Sequence, residues 1–282
     1  MKKYTLIGHP LGHSMSPFIH NKLFELKGKQ VSYDCTDIAP ESLSDMKDTL
    51  KHDYVGYNIT IPHKVAIIPL IDSLDDSAKR YNSVNCVSNT PDGSIGYNTD
   101  CLGFLHSLEL NGVSLSGKVL LLGCGGVGRM MAIESVAHGA ELTIAIIPEA
   151  KQMCDTLIAE LSQKFPNATV NVVMLDSITG DFDLVINATP VGMFPKVDNC
   201  PISDDVISHC NAVFDAIYNP IETVLVKKFK AQNRVAIGGM AMLVLQAVKA
   251  HEIWDGDTYS KQEIDEIIRL SNQKVVQDFQ NR

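Results

Sequence analysis

The chain lacks several features that define whole classes of protein. No apolar run approaches the roughly 20 residues that a membrane-spanning helix needs. Lysine and arginine number 24 against 33 aspartates and glutamates, which gives a net charge of -9. Because phosphate backbones are bound by clustered cations, this balance argues against DNA or RNA. We therefore expect neither a membrane nor a nucleic acid as a partner.

Cysteine use is equally restrictive. The seven cysteines are scattered, odd in number and never arranged as Cys-x-x-Cys. This pattern is typical of free thiols in a reducing compartment, and it argues against a structural zinc site. We expect a cytoplasmic protein without a metal site.

The length and apolar content of the chain allow one large domain or two small ones. It has 282 residues, of which 45% are hydrophobic. Short β-rich runs alternate with longer helical patterns, which is typical of an α/β protein with a parallel sheet. Strands are predicted over residues 4–8, 31–35, 54–61, 118–123, 141–145, 170–174, 184–187 and 212–215, with a first helix over 16–27.

A glycine-rich loop follows the strand predicted over 118–123. Gly123, Gly125, Gly126, Val127 and Gly128 belong to a G-x-G-x-x-G match, and a helical stretch follows it. Such glycines permit a tight turn, close approach of a pyrophosphate and close helix–strand packing, while the helix N-terminus attracts the phosphates. The loop predicts a dinucleotide site. The alternative is a strand–helix turn that binds nothing.

The end of the next strand bears on which dinucleotide binds. An acidic residue there favours the ribose 2′-hydroxyl of NAD, and an arginine favours the 2′-phosphate of NADP. Residues 145–149 contain no arginine and one carboxylate, Glu149. Because Glu149 would repel a 2′-phosphate, the stretch favours NAD. Alternatively, Glu149 merely lies in the first turn of the next helix.

Three polar clusters in the first hundred residues lie where predicted strands end, and open α/β sheets bind ligands at such positions. In the first cluster, Ser14 and Ser16 are two residues apart and can point at one oxygenated ligand. The alternative is that one of them is the N-cap of the following helix, with Pro17 at its first position.

The second and third clusters contain a candidate catalytic pair. Asn58 and Thr60 share one face of the predicted strand, and Lys64 follows the turn. A lysine held there can transfer a proton to or from a hydroxyl as a hydride moves, although an exposed lysine is usually inert. Asp100 would favour the charged form of the lysine. As isolated residues, Asn85 and Asp100 would more often be turn formers.

Together these clusters resemble the shikimate dehydrogenase family, including its quinate/shikimate branch. The resemblance covers nearly the whole chain and keeps the order and spacing of residues 8–17, 58–64, 84–85, 98–100, 123–128, 187–193, 218–220 and 239–246. It implies an α/β fold with a discontinuous substrate-binding catalytic domain, a doubly wound Rossmann-type dinucleotide-binding domain and a substrate cleft between them. The implied bounds are 1–102 with 240–282 for the first domain and 103–239 for the second.

The resemblance also implies an activity, the reversible NAD(P)-dependent oxidation of shikimate to 3-dehydroshikimate in the chorismate pathway of aromatic amino acid biosynthesis. The protein would be a monomer or a homodimer with a small carboxylate substrate. The implied catalytic residues are Lys64 and Asp100. The implied binding residues are Ser14, Ser16 and Tyr218 for the carboxylate, Thr60, Asn85 and Gln246 for the ring hydroxyls, and Thr189 and Gly239 along the cofactor.

Three departures from the family pattern stand out. Residues 146–148 are Ile-Ile-Pro instead of the usual Asn-Arg-Thr, so the side chains expected to bind a 2′-phosphate are absent. Cys101 replaces a glycine after the aspartate, and Ala241 stands where glycine is common. Quinate or an amino-substituted relative remains an alternative substrate. A non-catalytic sensor of such acids or of a dinucleotide is a further alternative, against which the retained Lys64–Asp100 pair argues.

Overall fold

The structure, a computed structural model, describes residues 3–12 and 14–280. His13, in the first polar cluster, lies outside the described residues. The chain divides into two compact units. The first comprises Met1–Gly103 and Leu243–Gln273, and the second comprises Phe104–Met242 and Lys274–Arg282. Over the described ranges, none of the helices combines the length and the apolar character that crossing a bilayer requires.

The described residues form twelve strands and eleven α-helices. The strands are β1 (Lys3–Gly8), β2 (Ser32–Asp37), β3 (Gly56–Ile59), β4 (Ser73–Leu74), β5 (Cys86–Thr90), β6 (Gly93–Tyr97), β7 (Gly117–Leu122), β8 (Ala140–Ile146), β9 (Val170–Met174), β10 (Phe182–Asn187), β11 (Cys210–Asp215) and β12 (Val235–Gly238). The helices are α1 (Ser16–Leu26), α2 (Lys47–Asp53), α3 (His63–Ala66), α4 (Asp76–Tyr81), α5 (Asp100–Leu110), α6 (Gly126–Ala137), α7 (Lys151–Lys164), α8 (Asp204–Ser208), α9 (Val224–Ala231), α10 (Met240–Asp255) and α11 (Lys261–Val275). A π-helical turn over Val276–Gln280 continues α11.

The first unit contains a mixed six-stranded sheet in the order β2-β1-β3-β5-β6-β4. β1 runs parallel to β2 and β3, whereas β5 runs antiparallel to β3 and β6. The expectation of a parallel sheet is therefore wrong for this half, because β5 and β6 are joined by a tight hairpin that needs no crossover helix. The strand predicted over 54–61 is shorter than expected, since the Thr60 carbonyl already accepts from the His63 N–H in the turn that follows.

The C-terminal helix α10 completes the core of the first unit. Trp254 packs against Tyr4 with ring centroids 4.9 Å apart, and its indole N–H donates to the Val87 carbonyl at 2.9 Å. Gly56 lies so close beneath the indole that a Cβ at this position would overlap it. The sequence pattern leaves open which unit the last helices cover, and these contacts place the end of α10 on the first.

The second unit contains a parallel six-stranded sheet in the order β12-β11-β10-β7-β8-β9. Counted from β7, this is the order 6-5-4-1-2-3 of the doubly wound Rossmann fold, so the predicted fold class is confirmed. Leu120, Val185, Val213 and Phe229 are fully buried in its core. Strands buried on both faces are nearly continuous apolar runs, which explains why the sequence locates β7, β8, β10 and β11 to within two residues.

Two of the buried histidines in the first unit contact each other. His20 in α1 and His251 in α10 share a hydrogen bond of 3.0 Å between Nδ1 and Nε2, and the other nitrogen of His251 lies 2.9 Å from the Tyr259 hydroxyl. The His20 ring stacks on Tyr33 at a centroid distance of 4.1 Å. Because burial disfavours an imidazolium, it lowers the pKa of His251 to about 3 and holds the pKa of His20 well below its ordinary value.

The buried histidines predict a loss of stability in acid. The unfolded chain binds protons at both residues below about pH 6.5 while the folded chain does not, so the free energy of unfolding falls as the pH drops through that value. In His251→Gln, we expect the fall between about pH 7.5 and about pH 5 to be smaller by about 2 kcal/mol than in the wild type.

Urea unfolding followed by tryptophan fluorescence measures this effect, because the single tryptophan of the chain, Trp254, lies in the same unit. His52→Gln, which changes an exposed histidine of α2, is the matched control and should keep the pH dependence of the wild type. The same pH dependence in His251→Gln and in the wild type would contradict the prediction.

Candidate functional site

Lys64 and Asp100, the predicted catalytic pair, lie together in the first unit. Lys64 is the second residue of α3, and its Nζ donates to Oδ2 of Asp100, the first residue of α5, at 2.6 Å. The two side chains are 24% and 17% exposed. The pair is thus shielded enough to strengthen the interaction, yet a small molecule can still reach it.

Asn85 fixes the direction of the aspartate. Its Nδ2 donates to Asp100 Oδ1 at 2.8 Å and to the Thr99 hydroxyl at 3.0 Å, while its Oδ1 accepts from the Thr99 N–H at 2.7 Å. Asn85 and Thr99 are both buried. Because one carboxylate oxygen accepts from Asn85 and the other from Lys64, the carboxylate cannot rotate without losing a hydrogen bond.

Gln246 of α10 reaches the same group of residues. Its Oε1 lies 3.4 Å from the Thr99 hydroxyl, and its Nε2 donates to the Leu243 carbonyl at 2.9 Å. The structure therefore brings together four of the predicted site residues, namely Lys64, Asn85, Asp100 and Gln246. Thr99, which joins Gln246 to Asn85, is not among the predicted site residues, although it lies between two polar neighbours in the 98–100 motif.

Asn58 is a second residue outside the predicted set. It is buried, accepts from the Tyr33 hydroxyl at 2.7 Å and donates to the Asn85 carbonyl at 3.2 Å. Asn58 therefore helps to fix the backbone of Asn85. Its position in the 58–64 motif is the only sequence signal for this role.

The two serines lie at the start of α1. The Ser16 N–H donates to the Ser14 hydroxyl at 3.1 Å. Met15 is the N-cap and makes no side-chain capping bond, and Pro17 is the second helical residue, so neither serine occupies the N-cap. Thr60 follows β3, and its methyl group fills the space that a Cβ at Gly8 would occupy.

The glycine loop of the second unit fits a pyrophosphate. Gly123 has φ +88°, and a Cβ at Gly128 would lie 2.5 Å from the Gly123 carbonyl oxygen, so the loop packs closely against α6. A Cβ at Gly125 or Gly126 would meet no atom within 4 Å. Open space therefore lies at the N-terminus of the 12-residue helix α6, which includes Val127, and an anion can approach its amides.

The other predicted residues of this unit also follow strands. Thr189, after β10, lies against the glycine loop, since a Cβ at Gly123 would be 2.9 Å from its Cγ2. Gly239, after β12, packs so closely on the turn after β11 that a Cβ would overlap the Ala216 carbonyl. Tyr218 belongs to that turn, and burial raises the pKa of its phenol. Thr189 is thus brought to the glycine loop, and Gly239 to the turn that carries Tyr218.

Glu149 lies in a single 3-10 turn, Pro148–Ala150, between β8 and α7. Glu149 and its neighbour Ile147 are exposed. A cavity of about 640 Å³ opens beside this turn, at the carboxyl ends of β8 and β9, and Ile147, Pro148 and Met174 are among its lining residues. The placement agrees with a ribose-binding carboxylate and equally with an acidic residue that precedes α7.

Comparisons with known proteins identify related sequences and structures. A family model described as the shikimate dehydrogenase substrate binding domain matches residues 6–87. A curated shikimate dehydrogenase (NADP(+)) of Methanocaldococcus jannaschii is 37% identical over 260 residues, which is 90% of this chain and 92% of that protein. Its counterpart in Caldanaerobacter subterraneus subsp. tengcongensis is 34% identical over 273 residues, covering 95% and 96%.

A solved structure of shikimate 5-dehydrogenase from Thermus thermophilus, in complex with NADP(H) and shikimate, is similar over 96% of this chain and 100% of that one. The TM-score is 0.84 and the sequence identity is 28%.

The glycine loop predicts a contrast between two substitutions. Gly128→Ala should lower the midpoint of thermal unfolding by about 5 °C or more, because its methyl group meets the Gly123 carbonyl. Gly126→Ala should raise the midpoint by about 1–3 °C, since its methyl group enters open space and alanine restricts the unfolded chain. Circular dichroism during heating measures both, and equal losses would rule out the close-packing argument.

Proposed function

The chain belongs to the shikimate dehydrogenase family, and we propose that it catalyses the reversible, NAD(P)-dependent oxidation of shikimate to 3-dehydroshikimate. The observation that carries this proposal is the Lys64–Asp100 hydrogen bond of 2.6 Å, held by Asn85 beside Gln246. The open space at the N-terminus of α6, next to Gly125 and Gly126, supports the proposal that a dinucleotide binds there. When bound, that cofactor takes up a hydride from the substrate carbon or returns it.

The task of the polypeptide is to move a proton at the reacting oxygen. As the carbon loses a hydride, the hydroxyl becomes a carbonyl and its proton must leave. Lys64 Nζ accepts this proton in the oxidation direction and returns it in the reduction direction. Asp100 stabilises the resulting ammonium and keeps the nitrogen in one place. A sensor that only binds its ligand would have no need of such a pair.

Hydrogen bonds from side chains would orient the ring. We assign the ring hydroxyls to Thr60, Asn85 and Gln246, whose amide and hydroxyl groups can both donate and accept. Ser14, Ser16 and Tyr218 would bind the carboxylate. The substrate-binding catalytic role would belong to residues 1–102 with 240–282, and the dinucleotide-binding role to 103–239.

We also propose a cytoplasmic location for the enzyme, as a monomer or a homodimer. The seven free cysteines suit a reducing compartment.

Replacement of the lysine tests the proton-transfer role. Lys64→Ala should lower kcat with shikimate by about 100-fold or more, because general acid–base catalysis supplies at least that factor. The midpoint of thermal unfolding and the affinity for the dinucleotide should stay close to those of the wild type. Initial-rate absorbance of the reduced nicotinamide measures the turnover.

Lys51→Ala is the matched control, since it removes a lysine from an ion pair with Asp72 in the same unit. This variant should turn over like the wild type. Turnover of Lys64→Ala at the wild-type rate would contradict the proton-transfer role. A folded wild type that is active with quinate and inactive with shikimate would instead move the substrate assignment to quinate.

We further propose that the enzyme prefers NAD to NADP, although the relatives described above are named for NADP(+). The turn after β8 offers the exposed side chains of Ile147 and Glu149 where a 2′-phosphate would need a cation. The next basic residue, Lys151, is paired with Asp155 at 2.9 Å. Binding of NADP would therefore bring a phosphate near Glu149, while the charge of Lys151 is already shared with Asp155.

The cofactor preference is tested at Ile147. The wild type should show a kcat/KM with NAD about tenfold or more above that with NADP, and Ile147→Arg should reduce or reverse this ratio by supplying a cation for the 2′-phosphate. Ile147→Gln, similar in length and uncharged, is the control. A wild type that prefers NADP, and loses this preference in Lys151→Ala, would show that Lys151 binds the phosphate and that the preference for NAD is wrong.

A further inference from the structure

Asp215 is a buried carboxylate that the proposed chemistry does not use. It ends β11 beside Asn187, which ends the neighbouring strand β10, and the two residues are paired in the sheet register. Asp215 is 0% exposed. A carboxylate removed from water is costly unless hydrogen bonds satisfy it, so its presence in the core requires a structural or functional reason.

Three uncharged donors surround this carboxylate. Oδ1 accepts from Asn187 Nδ2 at 3.0 Å and from the Ile217 N–H at 3.1 Å, and Oδ2 accepts from the Thr223 hydroxyl at 2.7 Å. Burial raises the pKa of Asp215, whereas these donors favour its charged form. Because all three groups donate, the side chain acts here purely as an acceptor.

Each of the three donors belongs to a different loop or helix start and is hydrogen-bonded within it. Asn187 Oδ1 accepts from the N–H and the hydroxyl of Thr189, at 3.1 and 2.7 Å, and so fixes the loop after β10. Ile217 lies in the turn that carries Tyr218, and its carbonyl accepts from the Gly239 N–H at 3.0 Å. The third donor is the hydroxyl of Thr223, which is the N-cap residue of α9. One carboxylate therefore connects the ends of β10, β11 and β12.

The strand order shows which part of a dinucleotide these segments face. In a doubly wound sheet, the dinucleotide crosses the carboxyl edge where the strand order reverses, which is between β7 and β10 in this unit. The adenosine half then lies over β8 and β9, and the nicotinamide half over β10 and β11. Asn187 and Asp215 end these last two strands.

We propose that Asp215 is a positioning residue that acts through Asn187 to hold Thr189, and through Ile217 to hold Gly239, in the arrangement that binds the nicotinamide half of the cofactor. The inference rests on the proposed dinucleotide-dependent function. It distinguishes the two ends of the cofactor, because the glycine loop holds the pyrophosphate by other contacts.

Two ligands of different length test this role. NAD reaches both halves of the site, whereas ADP reaches only the adenosine and pyrophosphate half. Asp215→Ala should weaken NAD binding about tenfold or more and change ADP binding less than about twofold. Isothermal titration calorimetry with each ligand gives both dissociation constants without any need for turnover, so they remain measurable if the enzyme does not oxidise shikimate.

A conservative variant separates positioning from a general structural role. In Asp215→Asn, the amide oxygen can still accept from Asn187 and Ile217, and the amide nitrogen can donate to the Thr223 hydroxyl. NAD affinity should return to within about threefold of the wild type. Asp183→Asn is the control, because Asp183 lies near the opposite end of β10 and accepts from the backbone N–H of Lys118. This variant should bind both ligands like the wild type.

The inference fails if Asp215→Ala binds NAD like the wild type, or if NAD and ADP weaken together. If Asp215→Ala does not fold, Asn187→Ala takes its place, since it removes the connection from Asp215 to Thr189 and keeps the hydrogen bonds of Asp215 to Ile217 and Thr223. The same difference between NAD and ADP is expected for this variant, and equal losses would again overturn the inference. A wild type that binds NAD but turns over no shikimate would count against the proposed activity and not against Asp215.

Discussion

The burial of Asn85 is the constraint on which the site in the first unit depends. The residue is 3% exposed, so each of its polar groups must find a partner inside the protein. Its backbone N–H donates to Tyr97, its carbonyl accepts from Ile59, and its amide binds Thr99 and Asp100. These bonds tie β3 and β6 to the first turn of α5. Asp100 is thereby presented to the lysine of α3 by groups that cannot move independently.

The second unit repeats this arrangement with a different outcome. Asn187 accepts from the N–H and hydroxyl of Thr189 and donates to Asp215, just as Asn85 does with its own threonine and aspartate. Asp100 keeps 17% of its side chain exposed and binds a lysine, whereas Asp215 is fully buried among uncharged donors. A proton can therefore be exchanged near Asp100, while Asp215 can only hold the loops that donate to it in place. The same local solution supports chemistry in one unit and positioning in the other.

The sequence predicts the second sheet better than the first, for a physical reason. β10 is predicted to within two residues, because a buried parallel strand needs a continuous apolar run. β5 and β6 are missed, since serine, asparagine and glycine interrupt their apolar residues and the hairpin is stabilised by pairing that no local pattern records. The site follows the same logic. Strand ends mark Lys64 and Asp100, but Gln246 lies 147 positions from its partner Thr99, so only the resemblance indicates it. Asp215 looks like the last residue of a strand, and its three donors become visible only when β10, β11 and the turn after β11 are brought together.

The choice of dinucleotide depends on another kind of residue. Ile147 is 50% exposed and Glu149 lies in a single turn, so substitutions there disturb little packing. The catalytic pair, in contrast, is held by the buried Asn85 and Thr99, and a change at either of these two leaves a buried polar group unsatisfied. The reaction and the cofactor preference are therefore physically separable in this chain, and likeness to relatives bears more strongly on the reaction.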